Sequence, residues 1–203
     1  MNGHGSQTST GNVKSRKRDE ARLVERAQQG DKEAIGELYR RHVDTIYRYV
    51  QIRVRDEVVA EDLTAQVFLK ALEGLPTYQQ TGKPFLAWLY RIAYARIVDH
   101  FRKQGRRQEV ALAETLPAND PPPGQLIEAE AEWNRAIDLL AQLTDDQQDV
   151  LILRFIGELS LAEVADTLGK TVGATKALQH RALASLARLQ QEQMVDGQDE
   201  RRI

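Results

Sequence analysis

A run of prolines divides this chain of 203 residues into two blocks. Residues 108–127 contain Pro117 and the sequence Pro121-Pro122-Pro123-Gly124. Proline lacks an amide hydrogen and clashes with the preceding helical turn, so no helix continues through this stretch. On both sides, apolar residues recur at three- and four-residue spacing, which is typical of amphipathic helices, and no strand pattern occurs. The sequence therefore predicts an all-α protein with two small helical domains joined by a flexible linker.

Composition sets the expected boundaries. Residues 1–18 lack apolar periodicity and end in basic side chains, so we expect a disordered basic tail. A solvated tail is the favoured interpretation, and a nucleic-acid-binding arm is the alternative. Residues 19–107 form the first predicted domain. Residues 108–130 form an acidic linker, since the stretch from Gln108 to Asn134 holds six acidic residues and no basic one. Residues 131–191 form the second domain, and residues 192–203 a frayed C-terminal tail.

Several functional classes are excluded by what the sequence lacks. Without cysteine there are no disulfides, no thiol catalysis and no cysteine-bound zinc. No signal peptide and no membrane span are found, so we expect a cytoplasmic protein without membrane insertion. Glu-x-x-His pairs, a phosphate-binding glycine loop and a nucleophile motif are also missing. We therefore expect no enzyme, no metal and no cofactor. The net charge of only −2 points to no class of binding partner, so that class must be inferred from the charges of individual segments.

Capping residues mark where helices begin. One predicted helix runs from about Asp56 to Leu72, with apolar repeats at Val59, Leu63, Val67 and Leu72. Other predicted helix starts lie at Asp31, at the capping boxes Thr144 with Gln147 and Ser160 with Glu163, and at Thr171.

The segment GKPFLAWLYRIAYARIVDHFRKQGRR, residues 82–107, carries five of the twelve aromatic residues and seven basic residues against one acid. A helix here has an apolar row at Phe85, Leu89, Ala93, Ile97 and Phe101. The opposite side carries Trp88, Arg91, Ala95, Asp99 and Arg102. Arginine beside an exposed ring is the composition that binds single strands, because bases stack on rings while arginine follows the backbone. The open alternative is that Trp88 packs into a neighbouring helix.

Residues 160–189, SLAEVADTLGKTVGATKALQHRALASLARL, have the layout of a helix-turn-helix. Helical phase places Thr175, Leu178, Ala182, Leu186 and Leu189 on the core side of the longer helix. The other side carries Gly173, Lys176, Ala177, His180, Arg181 and Arg188. Since no acid occurs from Lys170 to Gln191, this side is predicted to bind DNA. The alternative is the solvated face of a helical hairpin, and a lone surface histidine such as His180 is usually only solvated.

In order and spacing, these segments resemble the bacterial sigma-70 family, most closely its extracytoplasmic-function (ECF) class. The resemblance covers about residues 20–190. AEDLTAQVFLKAL (residues 60–72) resembles the family's core-polymerase-binding helix, and PFLAWLYRIAYARIVDHFRK (residues 84–103) resembles its promoter-melting helix. LTDDQQDVLILRFIGELSLAEVADTLGKTVGATKALQHRAL (residues 143–183) resembles its −35-reading domain.

The resemblance implies a sigma factor that binds both large subunits of core RNA polymerase, the duplex −35 element and the melted −10 element. An anti-sigma factor is a further implied partner. The implied residues for polymerase binding are Asp62, Leu63, Gln66 and Phe68. For the −10 element they are Trp88, Arg91, Tyr94, Ala95 and Arg102. For the −35 element they are Thr171, Gly173, Lys176, Gln179, His180 and Arg181.

Three features depart from the family pattern. Ala95 stands where many ECF members carry a base-holding Asn, so Tyr94, Arg91 or the loop from Tyr78 to Lys83 would hold the base instead. Ala65-Gln66 replaces a common Gln-Glu. Larger relatives have two adjacent tryptophans where this chain has Trp88 followed by Leu89, which implies weaker melting. The competing function is a stand-alone helix-turn-helix regulator that binds DNA without polymerase.

Overall fold

The computed structural model describes the backbone of residues 8–110 and 128–199 and the side chains of residues 18–105 and 135–192. Within these ranges every regular element is helical, as the sequence predicts. None of the described helices is long and apolar enough to cross a bilayer. The α-helices are α1 Thr8–Gln28, α2 Lys32–Val54, α3 Glu57–Gly74, α4 Phe85–Val110, α5 Glu128–Ala141, α6 Asp145–Leu151, α7 Leu161–Thr167 and α8 Val172–Asp199.

Several element ends differ from the predicted boundaries. Helix α1 begins at Thr8, inside the stretch expected to be a disordered tail, and α8 continues to Asp199 through the expected frayed tail. The expectations for residues 1–7, 111–127 and 200–203 lie outside the described residues. The chain divides into two compact units between Arg96 and Ile97, within α4, rather than after residue 107. Helical periodicity runs unbroken across that division, so the sequence gives no sign of it.

The predicted helix starts are confirmed. The Asp31 carboxylate accepts hydrogen bonds from the amides of Glu33 and Ala34, at 3.0 and 3.2 Å. The Asp56 carboxylate accepts from the Val59 amide at 2.9 Å. Each contact satisfies an amide that the first helical turn leaves without a backbone partner. The two capping boxes, Thr144 with Gln147 and Ser160 with Glu163, are also present.

In the first unit, α2 packs between α1 and α3. Ile46, Val67 and Leu89 are fully buried there. The rings of Tyr49 and Tyr90 meet edge to face, with centroids 5.2 Å apart, and both are fully buried. Aromatic pairs in this geometry stabilise a core beyond their buried area. This packing fixes the second turn of α4 against α2.

In the second unit, α6 and α7 pack against α8. A π-helical turn, Ile152–Ile156, follows α6, and the Gly157 amide donates to the carbonyl oxygen of Ile152, five residues earlier, at 2.8 Å. Ile152 and Leu153 are fully buried, whereas Phe155 is 59% exposed. The wider turn changes the helical phase, so Phe155 faces solvent.

Candidate functional site

The outward face of α8 is formed by its first three turns. Gly173, Lys176, Ala177, His180 and Arg181 are all exposed, as the helical phase predicts. On the inward side, Thr175, Leu178 and Ala182 are buried, while Leu186 and Leu189 are half-buried.

Local hydrogen bonds fix where this face begins. Gly169 adopts a positive φ of +63°, which glycine tolerates, and the Lys170 amide donates to the carbonyl oxygen of Ala165 at 2.8 Å. Thr171 Oγ1 accepts from the Ala174 amide at 3.2 Å and so caps α8. Lys170 Nζ lies 2.9 Å from Asp146 Oδ2. The turn is therefore tied both to α7 and to α6, which gives α8 a defined starting position.

The face has the chemistry of a DNA-binding surface. Lys176 and Arg181 carry positive charges, the kind of side-chain charge that binds phosphates and base edges in DNA-binding proteins. A side chain added at Gly173 would meet nothing within 4 Å, so the backbone there is open to close approach. Gln179 is half-buried at the edge of the face. Further along, Arg188 Nε lies 3.8 Å from Glu192 Oε1, so a carboxylate accompanies the cation beyond the first three turns.

Trp88 on α4 lies in an aromatic cluster. Its ring centroid is 4.6 Å from that of Tyr78 and 5.3 Å from that of Phe85, and its indole rests over Gly74. Trp88 is half-buried. The sequence predicts a side chain that projects away from the core. The structure favours the alternative in which Trp88 packs on neighbouring elements, because Gly74 and Tyr78 provide a surface for it.

The other residues predicted on this side of α4 differ in exposure. Arg91 and Ala95 are exposed, and Tyr94 is half-buried. Arg102, beyond the division between the two units, is exposed and lies 2.9 Å from Asp99 Oδ1. An exposed ion pair contributes little to stability, so Arg102 can exchange this carboxylate for a phosphate at small cost.

A carboxylate from α1 lies at the start of α4. Glu20 Oε1 is 3.1 Å from His42 Nε2, and Glu20 Oε2 accepts from the Phe85 amide at 3.4 Å. Burial raises the pKa of the Glu20 carboxyl, but the hydrogen bond and charge of His42, with the Phe85 amide, outweigh it and leave this pKa below its ordinary value. Burial and the Glu20 charge raise the pKa of Tyr78.

The predicted polymerase-binding residues on α3 lie on different sides of the helix. Asp62 is exposed, and its Oδ2 accepts from Gln66 Nε2 at 2.7 Å. Leu63 and Phe68 are buried and belong to the core of the first unit. They orient the helix instead of offering a free surface.

Sequence reasoning missed the exposed apolar residues of α3. Val58 is 75% exposed, Leu69 is 61% exposed, and Leu72 is also exposed. The sequence assigns Leu72 to the buried repeat, but Ala71 is buried in its place. Leu69 and Leu72 are neighbours three residues apart on the helix surface, and large apolar side chains grouped in water are a common sign of a protein-binding surface. Asp62 is exposed on the same helix, so its carboxylate is available beside these apolar side chains.

Comparison with known proteins identifies the family. The family model for Sigma-70 region 2 matches residues 38–107, and the model for Sigma-70, region 4 matches residues 139–188. ECF RNA polymerase sigma factor BldN of Streptomyces coelicolor is 43% identical over 171 residues, which are 82% of this chain and 64% of BldN. ECF RNA polymerase sigma factor SigD of Mycobacterium tuberculosis is 37% identical over 172 residues, 81% of this chain and 80% of SigD. The chain belongs to the ECF class of the sigma-70 family.

Solved sigma factors share the fold of this ECF family member. CnrH, in complex with the cytosolic domain of CnrY, matches with a TM-score of 0.63 and 24% identity over 84% of this chain and 96% of CnrH. RpoE of Bartonella quintana, in complex with the anti-sigma factor NepR, matches with a TM-score of 0.67 and 21% identity over 77% of this chain and 96% of RpoE. Helix α1 lies before the region 2 match, so Glu20 falls outside the matched residues while its partners His42 and Phe85 fall within them.

Proposed function

We propose that this chain is a sigma factor, a promoter-specificity subunit that binds core RNA polymerase and directs transcription initiation. The observation that carries this proposal is the outward face of α8. It is exposed and basic, it begins at a well-fixed turn, and it lies in the segment matched by region 4. Residues 131–191 read the −35 element, residues 19–107 bind polymerase and the −10 element, and residues 108–130 tether the two.

At the −35 element, α8 enters the major groove of duplex DNA. Lys176, Gln179 and Arg181 reach base edges, where arginine pairs best with guanine and glutamine with adenine. Thr171, Gly173 and His180 lie near the start of the helix or on its exposed side and contact the backbone. The absence of acidic residues from this face avoids repulsion by phosphates.

At the −10 element, α4 stabilises separated strands. The accessible side of the Trp88 indole provides a stacking surface for a base, and Arg91 and Arg102 attract the backbone. Ala95 is exposed but carries no polar side-chain atom. Tyr94, Arg91 or the loop that follows Tyr78 therefore supplies the hydrogen bonds that hold an unstacked base.

The polymerase-binding surface lies on α3. Asp62 and Gln66 provide polar contacts, and Leu69 and Leu72 provide apolar area, for the clamp of the largest polymerase subunit. The C-terminal domain binds the flap of the other large subunit. An anti-sigma factor covers these surfaces when the factor is inactive, by analogy with RpoE, which was solved with the anti-sigma factor NepR. The protein works in the cytoplasm and performs no covalent chemistry, because the polymerase core forms the RNA chain.

Run-off transcription with sigma-free core polymerase tests this function. The template is a promoter selected from a fragment library by core polymerase carrying this chain. Arg181→Ala removes a base contact worth about 1–3 kcal/mol, so initiation falls by about 5- to 150-fold. Arg188→Ala is the matched control, since it lies about 10 Å further along the same helix, and it changes initiation little. Equal losses in both variants contradict base reading by the start of α8.

A gel shift separates the sigma factor from a stand-alone regulator. The sigma factor binds promoter DNA weakly alone and tightly with core polymerase, because two modest sites on one tether act together once the polymerase holds them in place. Tight, specific binding of the isolated protein to duplex DNA, with no gain from polymerase, supports the regulator instead.

A further inference from the structure

Helix α1 contacts the segment that joins α3 to α4. That segment starts with a 3₁₀ turn, Leu75–Thr77, and continues through Tyr78 to Pro84. Gln28 Nε2 donates to the carbonyl oxygen of Leu75 at 3.0 Å and to that of Tyr78 at 2.7 Å. A primary amide nitrogen carries two hydrogens, so these two bonds use both. Gln28 therefore holds both ends of one turn.

Two more contacts extend the same connection. Gln80 Nε2 donates to the carbonyl oxygen of Ala21 at 3.0 Å, which ties the middle of the loop to α1. Glu20 accepts from the Phe85 amide at the first residue of α4, where a carboxylate also stabilises the positive end of the helix. Four hydrogen bonds, made by three side chains, thus join α1 to the loop and to the helix after it.

This bracing reaches Trp88 through Tyr78. The indole contacts the Tyr78 ring with centroids 4.6 Å apart and planes tilted by 39°, and the Tyr78 carbonyl oxygen accepts a hydrogen bond from Gln28. A change in the path of the turn moves Tyr78 and with it the surface on which the indole rests. Burial alone does not require the Gln28 amide here, since an apolar side chain of similar size would fill the space.

We propose that α1 is a positioning element for −10 recognition, with Gln28 as its principal positioning residue. This inference rests on the proposed function. Gln28 acts through the turn and the Tyr78–Trp88 pair and does not itself touch DNA. Its role is to hold the loop and the stacking ring in the geometry that distinguishes a correct −10 base from an incorrect one.

The test compares Gln28→Glu with Gln29→Glu. Both add the same charge one residue apart, but Gln29 is exposed and, among the residues whose side chains the structure describes, it makes no such hydrogen bond to the loop. The carboxylate introduced by Gln28→Glu cannot donate a hydrogen bond, and its negative charge is repelled by the carbonyl oxygens of Leu75 and Tyr78. Open-complex formation is measured on a selected promoter and on a copy with one −10 base changed. The ratio of the two rates is the readout, because partial unfolding lowers both rates equally and cancels.

The expected result is a ratio lowered about fivefold or more by Gln28→Glu, the size of effect that loss of one hydrogen bond produces, and unchanged by Gln29→Glu. Binding to core polymerase and discrimination at the −35 element stay as in the original chain. If Gln28→Glu does not fold, Gln28→Met decides, because its side chain is of similar size, carries no charge and can donate neither hydrogen bond; a fall in the ratio is expected here too. An unchanged ratio in the folded variants overturns the proposal. Absence of core-dependent initiation by the unaltered chain instead overturns the proposed function.

Discussion

Replacing Gly74 with alanine tests the packing of Trp88. A Cβ atom at Gly74 would lie 3.1 Å from Trp88 Cζ2, whereas carbon atoms pack best at about 3.5–4.0 Å, so the indole must retreat by about 0.4–0.9 Å. Gly74 has a φ of −84°, which alanine adopts without strain, so the substitution by itself raises the free energy of unfolding by about 0.5–1 kcal/mol. Strain in the displaced side chain costs about 0.5–1.5 kcal/mol. The two effects nearly cancel, so the free energy of unfolding stays within about 1 kcal/mol.

Gly36→Ala is the matched control in α2. A Cβ there lies 3.4 Å from the end of the flexible Arg40 side chain, which can move away, so about 1 kcal/mol of stabilisation remains. Urea denaturation is followed by Trp88 fluorescence in a Trp133→Phe background, which leaves one indole. We expect Gly36→Ala to stabilise, and Gly74→Ala to shift the emission of Trp88 without stabilising. If Gly74→Ala stabilises as much as Gly36→Ala and leaves the emission unchanged, the indole does not rest on Gly74.

Three further predictions concern single side chains. Thr171→Ala removes the cap of α8 and destabilises the second unit by about 1 kcal/mol, measured by circular dichroism during denaturation. Leu63→Ala lowers the free energy of unfolding by about 2–5 kcal/mol because the side chain is buried. Leu69→Ala changes the free energy of unfolding by less than about 0.5 kcal/mol but weakens polymerase binding in a pull-down. The reverse pattern would contradict the assignment of the buried and exposed faces of α3. The folded-state pKa of Glu20 is depressed below the ordinary value of 4.5, so its stabilisation is present above that pH and is lost as the pH falls through the lower folded value. The difference in unfolding free energy between the original chain and Glu20→Gln should therefore vanish in acid, and a difference that persists there refutes the role of the carboxylate.

Local patterns predicted α8 well. Its cap at Thr171 and the alternation of buried Leu178 with exposed Lys176 and Arg181 depend only on residues within one helix and its turn. Helical phase therefore suffices to predict which side chains face solvent. The same holds for the start of α2 at Asp31, where one carboxylate meets two nearby amides.

Contacts between distant segments were not predictable in this way. Whether Trp88 projects or packs depends on Gly74 and Tyr78, which lie on other elements. On α3, the choice to bury Ala71 and expose Leu72 depends on how α2 approaches, because both residues fit an apolar repeat. The hydrogen bonds of Gln28 could be predicted only if Tyr78, fifty residues later, were known to lie beside it. Hydrophobic periodicity contains no information about such pairings.

Initiation mapping on genomic fragments tests the central claim most directly. Core polymerase is incubated with a fragment library from the source organism, with and without this chain, and the RNA 5′ ends are sequenced. The proposed function predicts discrete start sites that appear only with the chain and share two elements at fixed spacing. Arg181→Ala should relax the sequence preference of the upstream element alone. Start sites identical to those of core polymerase alone would contradict the claim that this chain selects promoters.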